Sequence, residues 1–242
     1  MECRTAMKLD FSTERILAVV AHPDDAELLC AGTLARAGKE GAAAGICVLC
    51  RGDKGQPEPP IPDLAAVRRG EMAAACALLG AQLFCVGVPD STLQDDEGAR
   101  LELTQVFRQF RPTLVLAHSP RDYHPDHRAA SALAEAASWF CASRGFQTQS
   151  APLEASPGLW WMDTLGMNAF EPGFYVDISA SVSVKEAMLA CHRSQMSRAG
   201  DKDFSPLLEL MRQQCQVRGQ QSGVAAAEAF QAHQAFKRAR AW

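Results

Sequence analysis

The chain has 242 residues, of which 48 % are hydrophobic and 21 % charged, and its formal net charge is −4. This length and composition favour a single domain over residues 1–242 with a substantial core, preceded by a loose lead-in over residues 1–12. The mild charge argues against a nucleic-acid or anionic-membrane partner. No apolar run reaches the ~18 residues of a membrane helix, and the polar N-terminus lacks a signal-peptide core.

The nine cysteines are scattered through apolar or helical stretches, and their number is odd. This usage is typical of a reduced, cytoplasmic protein. Cys47 and Cys50 have CxxC spacing, but they lie at the end of an apolar run, with no second CxxC and no helix opening on them. That context does not favour a redox or zinc role for the pair.

The first chemically distinctive stretch, residues 21–27, follows the apolar run of residues 16–20. The run predicts a short buried strand, and a helix is predicted directly after the stretch. His22, Asp24 and Asp25 therefore lie where a strand ends, which is where open parallel sheets bind ligands. One aspartate would be enough to cap the helix. Three such groups together indicate a divalent cation that neutralises them.

Strands and helices alternate along the chain, which predicts βαβ units and a mostly parallel sheet in an α/β fold. No G-x-G-x-x-G follows the first strand, so a dinucleotide fingerprint is absent. The predicted strands are residues 16–20, 43–49, 83–86, 113–117, 159–164 and 174–178. The predicted helices are residues 28–37, 64–79, 100–110, 128–140, 182–198, 206–218 and 224–236.

A second polar cluster, residues 118–127, follows the fourth predicted strand and holds three of the six histidines and two aspartates. Clusters at the ends of two strands of one parallel sheet can converge in space. His22, Asp25 and His127 would supply two nitrogens and one oxygen and leave positions open for water and substrate, as in a catalytic zinc site. Zinc is the default metal, and iron(II), cobalt and manganese tolerate the same ligands.

Charged residues also occupy other positions that favour a ligand site. Arg68 and Arg69 lie near the start of the predicted helix 64–79, where cations oppose the helix dipole. We therefore expect one of them to face a ligand or a carboxylate. Asp90 follows the third predicted strand and adds another carboxylate at a strand end.

These motifs resemble those of a known family. His22-Pro23-Asp24-Asp25 with Glu27, followed by residues 32–35, resembles the first motif of the LmbE-like (PIG-L) zinc de-N-acetylases, which include N-acetylglucosaminyl-phosphatidylinositol deacetylase. Residues 124–127 resemble the second motif. The resemblance covers about residues 15–230, because further segments fit the family's order: Arg68-x-x-Glu71, Pro89-Asp90, residues 175–178 and residues 222–224.

The resemblance implies a Rossmann-like sheet with a zinc site, and hydrolysis of an N-acetyl group from a glucosamine-type conjugate. It also implies a homo-oligomer, a trimer or a hexamer. Carried over by position, it assigns roles to eight residues: metal ligands His22, Asp25 and His127, general base Asp24, oxyanion-supporting His124 with its orienting carboxylate Asp126, and substrate-contacting Arg68 and Asp90.

The substrate is narrowed by the closest overall resemblance, which is to bacterial deacetylases of the bacillithiol pathway that act on a glucosaminyl-malate conjugate. Arg68 would then hold a malate carboxylate in a bidentate pair. The chain departs from those enzymes at Tyr123, where a basic residue is expected before the second motif. Simple N-acetylglucosamine conjugates, chito-oligosaccharides, mycothiol-type substrates and amidase action on a thiol conjugate stay open.

Two other classes of function are compatible with the same motifs. A metal-binding sugar-recognition protein without turnover is one, but the presence of both Asp24 and His124 argues against it. A phosphoesterase is the other, and two tightly bound ions per chain would favour it. Trp160, Trp161 and Phe174 are interpreted as packing residues rather than as a sugar-stacking platform.

Overall fold

The computed structural model describes residues 9–196, 198 and 206–235. Strands and helices alternate through most of this part of the chain, as the apolar pattern predicted. The strands are β1 (Arg15–Val20), β2 (Ala43–Cys50), β3 (Gln82–Val88), β4 (Leu114–Ala117), β5 (Gly158–Met162), β6 (Phe174–Asp177) and β7 (Ala227–Ala232). The helices are α1 (Asp25–Leu29), α2 (Ala31–Glu40), α3 (Leu64–Leu79), α4 (Glu97–Phe110), α5 (Pro125–Phe140), α6 (Val182–Leu189), α7 (Arg193–Met196) and α8 (Leu207–Ser222).

The strands form one seven-stranded sheet in the order β3-β2-β1-β4-β5-β7-β6. The neighbours from β3 to β5 are parallel, whereas β7 is antiparallel to both β5 and β6. This confirms the predicted α/β class with a mostly parallel sheet flanked by helices. From β1 the chain adds β2 and β3 on one side and then crosses to β4 on the other side of β1. This reversal of strand order opens a crevice at the carboxyl ends of β1 and β4.

The core lies on both faces of this sheet. In β1, Ile16, Ala18 and Val20 pack into the cluster on one face, and Leu17 and Val19 pack into the cluster on the other. All five are fully buried. Burial on both faces is the reason that the strand reads as a continuous apolar run rather than an alternating one.

The helix predicted over residues 224–236 is wrong. This segment forms β7, which pairs with β5 and β6, and Phe236 lies outside the described residues. Alanine favours a helix locally, but the two neighbouring strands supply hydrogen-bond partners on both sides. The Glu228 side chain also reaches α2, where its two oxygens accept hydrogen bonds from the amides of Gly32, at 2.9 Å, and Thr33, at 2.7 Å.

Several predicted boundaries also shift. The predicted helix 182–198 is two helices, α6 and α7, with residue 197 outside the described part. Helix α5 begins at Pro125 rather than at Arg128, so that Asp126 and His127 lie in its first turn. Of the predicted lead-in, residues 1–8 lie outside the described residues, while Leu9 and Phe11 are buried in the core.

Three further expectations concern the cysteines, membrane-spanning helices and the two adjacent tryptophans. The eight cysteines among the described residues are all free, and six of them are buried. Among the helices of the described chain, none has both the length and the apolar content to cross a bilayer. Trp160 and Trp161 are 3 % and 5 % exposed, which places both in the core.

Candidate metal centre

The two predicted polar clusters meet at one edge of the sheet. Strands β1 and β4 are paired in parallel, with Val19 opposite Ala117, so their carboxyl ends lie side by side. The chain turns from β1 through His22 into α1, and from β4 through a loop into α5. A pocket of about 320 Å³ opens between these ends and is lined by residues of both clusters.

The three predicted metal ligands converge on one carboxylate. Asp25 Oδ2 accepts a hydrogen bond from the His22 backbone amide at 2.7 Å and lies 3.5 Å from His22 Nδ1. Asp25 Oδ1 lies 3.4 Å from His127 Nε2. The His22 and His127 rings are 5.4 Å apart between centroids. Asp25 thereby contacts both imidazoles, one through each of its carboxylate oxygens.

Two further residues support this group, and the sequence reasoning assigned neither a role. The fully buried His118 ring stacks on His127 at 4.0 Å, and its Nε2 lies 3.2 Å from Asp25 Oδ2. Asp122 Oδ1 lies 3.1 Å from His127 Nδ1, so the other ring nitrogen faces Asp25. Both belong to the His/Asp-rich stretch 118–127, but spacing within a loop does not predict which side chains turn inward.

The electrostatics of the group favour a shared positive charge. Burial alone would lower the pKa of His127, but Asp25 and Asp122 raise it to about 10. Burial would also lower the pKa of His22, but its contact with Asp25 outweighs burial and raises this pKa. Burial would raise the pKa of Asp25, yet His127 and His118 hold it well below its ordinary range. A divalent cation would take over the charge that these protons supply.

The donor set fits a divalent cation. Imidazole nitrogens and a carboxylate oxygen suit zinc or iron(II). The contact between His127 and Asp122 is the kind of carboxylate support that orients a ligating histidine. His22, His124 and His127 also offer ligand atoms that all lie within 4.8 Å of one another, as do Asp25, His118 and His127.

Asp24 and Asp25 have different partners although they are adjacent. The Asp24 backbone has φ 102° and ψ −22°, a conformation that costs about 1–3 kcal/mol in a residue other than glycine. This turn directs the Asp24 carboxylate to Arg68, whose Nη2 lies 3.0 Å from its Oδ2. Burial raises the pKa of Asp24, and Arg68 acts in the opposite direction.

Arg68 faces a carboxylate. This agrees with the expectation that one of the two arginines near the start of α3, Arg68 or Arg69, would do so. Its guanidinium also donates to the carbonyl oxygens of Pro23 and Gly52, and the residue is 3 % exposed. These acceptors contact Nη1 and Nη2, whereas the buried Nε has no hydrogen-bond partner among the described residues. Arg68 is thus a buried partner of Asp24. It also lines the pocket, and its contact with a substrate carboxylate stays a prediction.

Asp90 lines the pocket, but its carboxylate holds the loop that follows β2. Oδ1 accepts from the Gly52 amide at 2.7 Å, and Oδ2 accepts from the Lys54 amide at 3.1 Å. Gly52 has φ +74°, and a Cβ there would lie 2.7 Å from Arg68 Cδ, so this close approach requires glycine. The predicted substrate-contacting residue therefore shapes the pocket by fixing this loop.

His124 and Asp126 are arranged differently from the prediction. The Asp126 carboxylate lies 3.1 Å from His22 Nε2 and accepts from the Ser91 amide at 2.8 Å. Its backbone amide, not its carboxylate, contacts His124, because His124 Nδ1 caps α5 by accepting from it at 3.2 Å. Burial and the neighbouring His127 and His22 lower the pKa of His124. The Asp126 carboxylate acts in the opposite direction on this pKa, although its hydrogen-bonding contact with an imidazole is with His22.

The rest of the pocket combines neighbours of the two polar clusters with residues from other parts of the chain. The Lys54 and Arg198 side chains line it, together with Gln195 and Tyr123. Tyr123 is 58 % exposed, and its ring lies 6.2 Å from that of His124 between centroids. Four leucines form an apolar wall: Leu28, Leu29, Leu165 and Leu207.

Comparison with known proteins places this geometry among related chains. The family model described as GlcNAc-PI de-N-acetylase (PIG-L) matches residues 17–138. The 4-oxalmesaconate hydratase of Pseudomonas putida is 26 % identical over 211 residues, in a match that covers 80 % of this chain and 78 % of that one. The diacetylchitobiose deacetylase of Thermococcus kodakarensis is 27 % identical over 202 residues, covering 78 % and 75 % of the two chains.

Among solved structures, the conserved protein TT1542 from Thermus thermophilus is 36 % identical to this chain. The match covers 95 % of this chain and all of that one, with a TM-score of 0.77. The sequence and fold similarities therefore extend through nearly the whole protein.

Proposed function

The chain belongs to the GlcNAc-PI de-N-acetylase (PIG-L) family, and from this premise we propose that it is a metal-dependent enzyme that removes the acetyl group from an N-acetylglucosamine-type conjugate. The membership confirms the resemblance of its two motifs. One observation carries the proposal: His22, Asp25 and His127 converge beside the buried Asp24 at a single pocket.

In this proposal His22, Asp25 and His127 hold the cation, either Zn²⁺ or Fe²⁺. When bound, the cation would polarise the acetamide carbonyl and lower the pKa of a water molecule towards about 7. Asp122 and His118 orient the His127 ring: Asp122 contacts its Nδ1, and His118 stacks on its face.

Asp24 is the proposed general base. Its carboxylate takes a proton from the attacking water and passes it to the amine that leaves the acetyl group. Burial, which raises the pKa of Asp24, brings it closer to the range in which a carboxylate exchanges protons at neutral pH. Arg68 opposes that rise and holds the side chain in one place.

His124 is the proposed donor to the acyl oxygen. Because His124 Nδ1 accepts the Asp126 amide hydrogen, a neutral ring carries its proton on Nε2. Nε2 can then donate as negative charge develops on the acyl oxygen. Loss of one such donor costs about 10²–10³ in rate. Asp126 would contribute through its backbone amide, through its contact with His22 and through its charge, which raises the pKa of His124 against the effect of burial.

Two cationic side chains in the pocket lining, beside those of the catalytic group, support an acidic substrate. Lys54 and Arg198 line the pocket that also contains Asp24 and His124. In the malate-conjugate deacetylases a basic residue is expected at the position of Tyr123. Lys54 and Arg198 would supply that positive charge here. We therefore favour N-acetylglucosaminyl-malate, and with it a cytoplasmic enzyme of bacillithiol synthesis. A homo-oligomer, either trimer or hexamer, remains part of this proposal.

The experiment is release of free amine from a panel of acetylated substrates by the metal-loaded chain. The panel contains N-acetylglucosaminyl-malate, its uncharged methyl glycoside counterpart and diacetylchitobiose. Chelated protein and Asp24→Asn serve as controls. Metal-dependent release that disappears in Asp24→Asn supports the deacetylase. Lys54→Met should raise KM for the malate conjugate and leave KM for the methyl glycoside unchanged.

Absence of release from every member of the panel would overturn the proposal. If one metal ion were still bound, weight would move to an amidase that acts on another N-acyl or thiol conjugate, or to a non-catalytic role in binding a sugar.

A second candidate function is hydration of a carbon–carbon double bond in an unsaturated acid. It is favoured by one observation, the match of 4-oxalmesaconate hydratase over 80 % of this chain. A cation beside a base could serve either reaction, and the two cationic side chains of the pocket lining would also suit a substrate with several carboxylates. Loss of the ultraviolet absorption of such an acid, with no amine released from the acetylated panel, would establish the hydratase instead.

A further inference from the structure

A second group of metal-ligating side chains lies on the far side of the His22 ring. His22 Nδ1 is 3.5 Å from Asp25, whereas His22 Nε2 is 3.1 Å from Asp126 Oδ2. Cys50 completes this second group, because ligand atoms of His22, Cys50 and Asp126 all lie within 4.8 Å of one another. The proposed function does not use the Cys50 thiol.

The backbone fixes Cys50 in this position. Cys50 is the last residue of β2, and its amide donates to the Ala21 carbonyl at 2.7 Å, one residue before His22. The pairing of β2 with β3 changes register between Val48 and Cys50. Cys50 is 2 % exposed and Asp126 is 3 % exposed, so the group is built into the interior rather than assembled from surface side chains.

The surroundings of the thiol are negative. Burial and four carboxylates, those of Asp126, Asp90, Asp25 and Asp53, raise the pKa of Cys50. The same carboxylates attract a cation to the thiol. A thiolate, an imidazole and a carboxylate are a ligand set that zinc and its softer relatives prefer over magnesium or calcium.

We propose that His22, Cys50 and Asp126 form a second, inhibitory site for a thiophilic divalent cation such as Zn²⁺ or Cd²⁺. Binding forms three bonds, from the cation to His22 Nε2, to the Cys50 sulfur and to an Asp126 oxygen. The thiol proton is released to solvent. Because Asp25 and the catalytic group also use His22, the second site fills only when the cation is in excess.

The inhibition follows from the single lone pair of a neutral imidazole. A neutral His22 ring offers one unprotonated nitrogen and carries its proton on the other. A cation bound to Nε2 on the Cys50 side leaves Nδ1 protonated. Nδ1 then cannot ligate the catalytic cation on the Asp25 side. Occupation of the second site therefore opposes the catalytic ligand set. This inhibitory effect rests on the proposed function, whereas binding at the second site does not.

The binding test is a Co²⁺ titration of the metal-free full-length chain, followed by absorption spectroscopy. The proposed catalytic ligands contain only nitrogen and oxygen, so a thiolate-to-Co²⁺ charge-transfer band cannot come from them, and the cysteine variants assign it to a residue. We expect this band to grow in at excess Co²⁺ in the native chain and in Cys85→Ser, which alters an exposed cysteine. It should be absent from Cys50→Ser, in which a weakly ligating hydroxyl replaces the thiol, and from Cys50→Ala.

Circular dichroism of both Cys50 variants checks that they are folded. A charge-transfer band that persists in folded Cys50→Ser or Cys50→Ala, or that never appears in the native chain, would overturn the second site.

The inhibition test measures turnover against Zn²⁺ concentration. Without excess Zn²⁺, Cys50→Ser should match the native chain. Its half-inhibiting Zn²⁺ concentration should be higher than that of the native chain by at least ~10–100-fold. Loss of a residue that only supports a metal ligand already weakens metal affinity by this factor. Equal inhibition of both chains would refute the inhibitory role. If no activity were found in any chain, the proposed function would fail, while the Co²⁺ band would still decide whether the second site exists.

Discussion

Arg68 and Asp24 form a buried ion pair, with Arg68 Nη2 3.0 Å from Asp24 Oδ2. The arginine comes from the second turn of α3 and the aspartate from the strained residue before α1. A buried charge is tolerated only while its partner is present. The pair therefore links the stability of the fold to the position of the proposed base.

Replacing Arg68 by Met should destabilise the protein and reduce turnover together. The substitution leaves the Asp24 carboxylate buried without its cation, which typically costs about 3–5 kcal/mol in free energy of unfolding. Arg69→Met is the matched control on the same helix, because Arg69 is exposed and should change stability by less than about 0.5 kcal/mol. Chemical denaturation measures both. Similar values for the two variants would contradict the importance of the pair.

Asp24→Asn and His22→Ala should separate chemistry from metal binding. Asparagine is isosteric with aspartate and tolerates a positive φ, so Asp24→Asn should keep the metal and lose about 10²–10⁴ in turnover. His22→Ala removes a proposed ligand and should lose the metal as well. Elemental analysis after dialysis gives the metal content of each variant. Near-native turnover of Asp24→Asn would show that another group is the base.

Gly32→Ala should destabilise the contact between α2 and β7. A Cβ at this position would lie 2.6 Å from Ile178 Cδ1 and 2.9 Å from Glu228 Oε1, and such overpacking typically costs about 1–3 kcal/mol. Gly38→Ala in the same helix meets nothing within 4 Å. It should stabilise the protein by up to about 1 kcal/mol, because alanine favours a helix more than glycine does. Thermal unfolding of both variants measures the difference, and effects of the same sign would refute the argument.

The contribution of His192 to stability should decrease as the pH rises. His192 is fully buried, with Nε2 3.4 Å from Glu27 Oε2. Burial and Arg68 lower the pKa of His192, but Glu27 and Asp24 outweigh them and raise it above the ordinary 6.5. Because the pKa is higher in the folded protein, protonated His192 stabilises the fold. This stabilisation is complete below pH 6.5 and is lost as the pH rises through the folded-state pKa.

His192→Gln tests this by denaturant unfolding at a series of pH values. The loss of stability relative to the native chain should be largest below pH 6.5 and should shrink at alkaline pH. A loss that grows with pH would mean that His192 is neutral in the folded protein and that its pair with Glu27 carries no net charge interaction.

The alternation of short apolar runs with longer amphipathic stretches was enough to predict the parallel sheet, because strands buried on both faces need continuous apolar sequence. It failed at β7, where an alanine-rich segment reads as a helix. The pairing of β7 with β5 and β6, and the reach of Glu228 to α2, are long-range contacts that a local pattern does not contain.

The sequence by itself determined that His22 and Asp25 lie at the carboxyl edge of the sheet, since they directly follow a buried strand, and that the polar stretch 118–127 follows the end of another strand. Only the tertiary structure decided how the remaining groups are shared. It paired Arg68 with Asp24, Asp126 with His22, and Asp90 with the loop after β2. It also placed the Cys50 thiol behind His22. These pairings depend on loop paths and helix directions over a few ångströms, and hydrogen bonding at that scale is set by packing rather than by spacing along the chain.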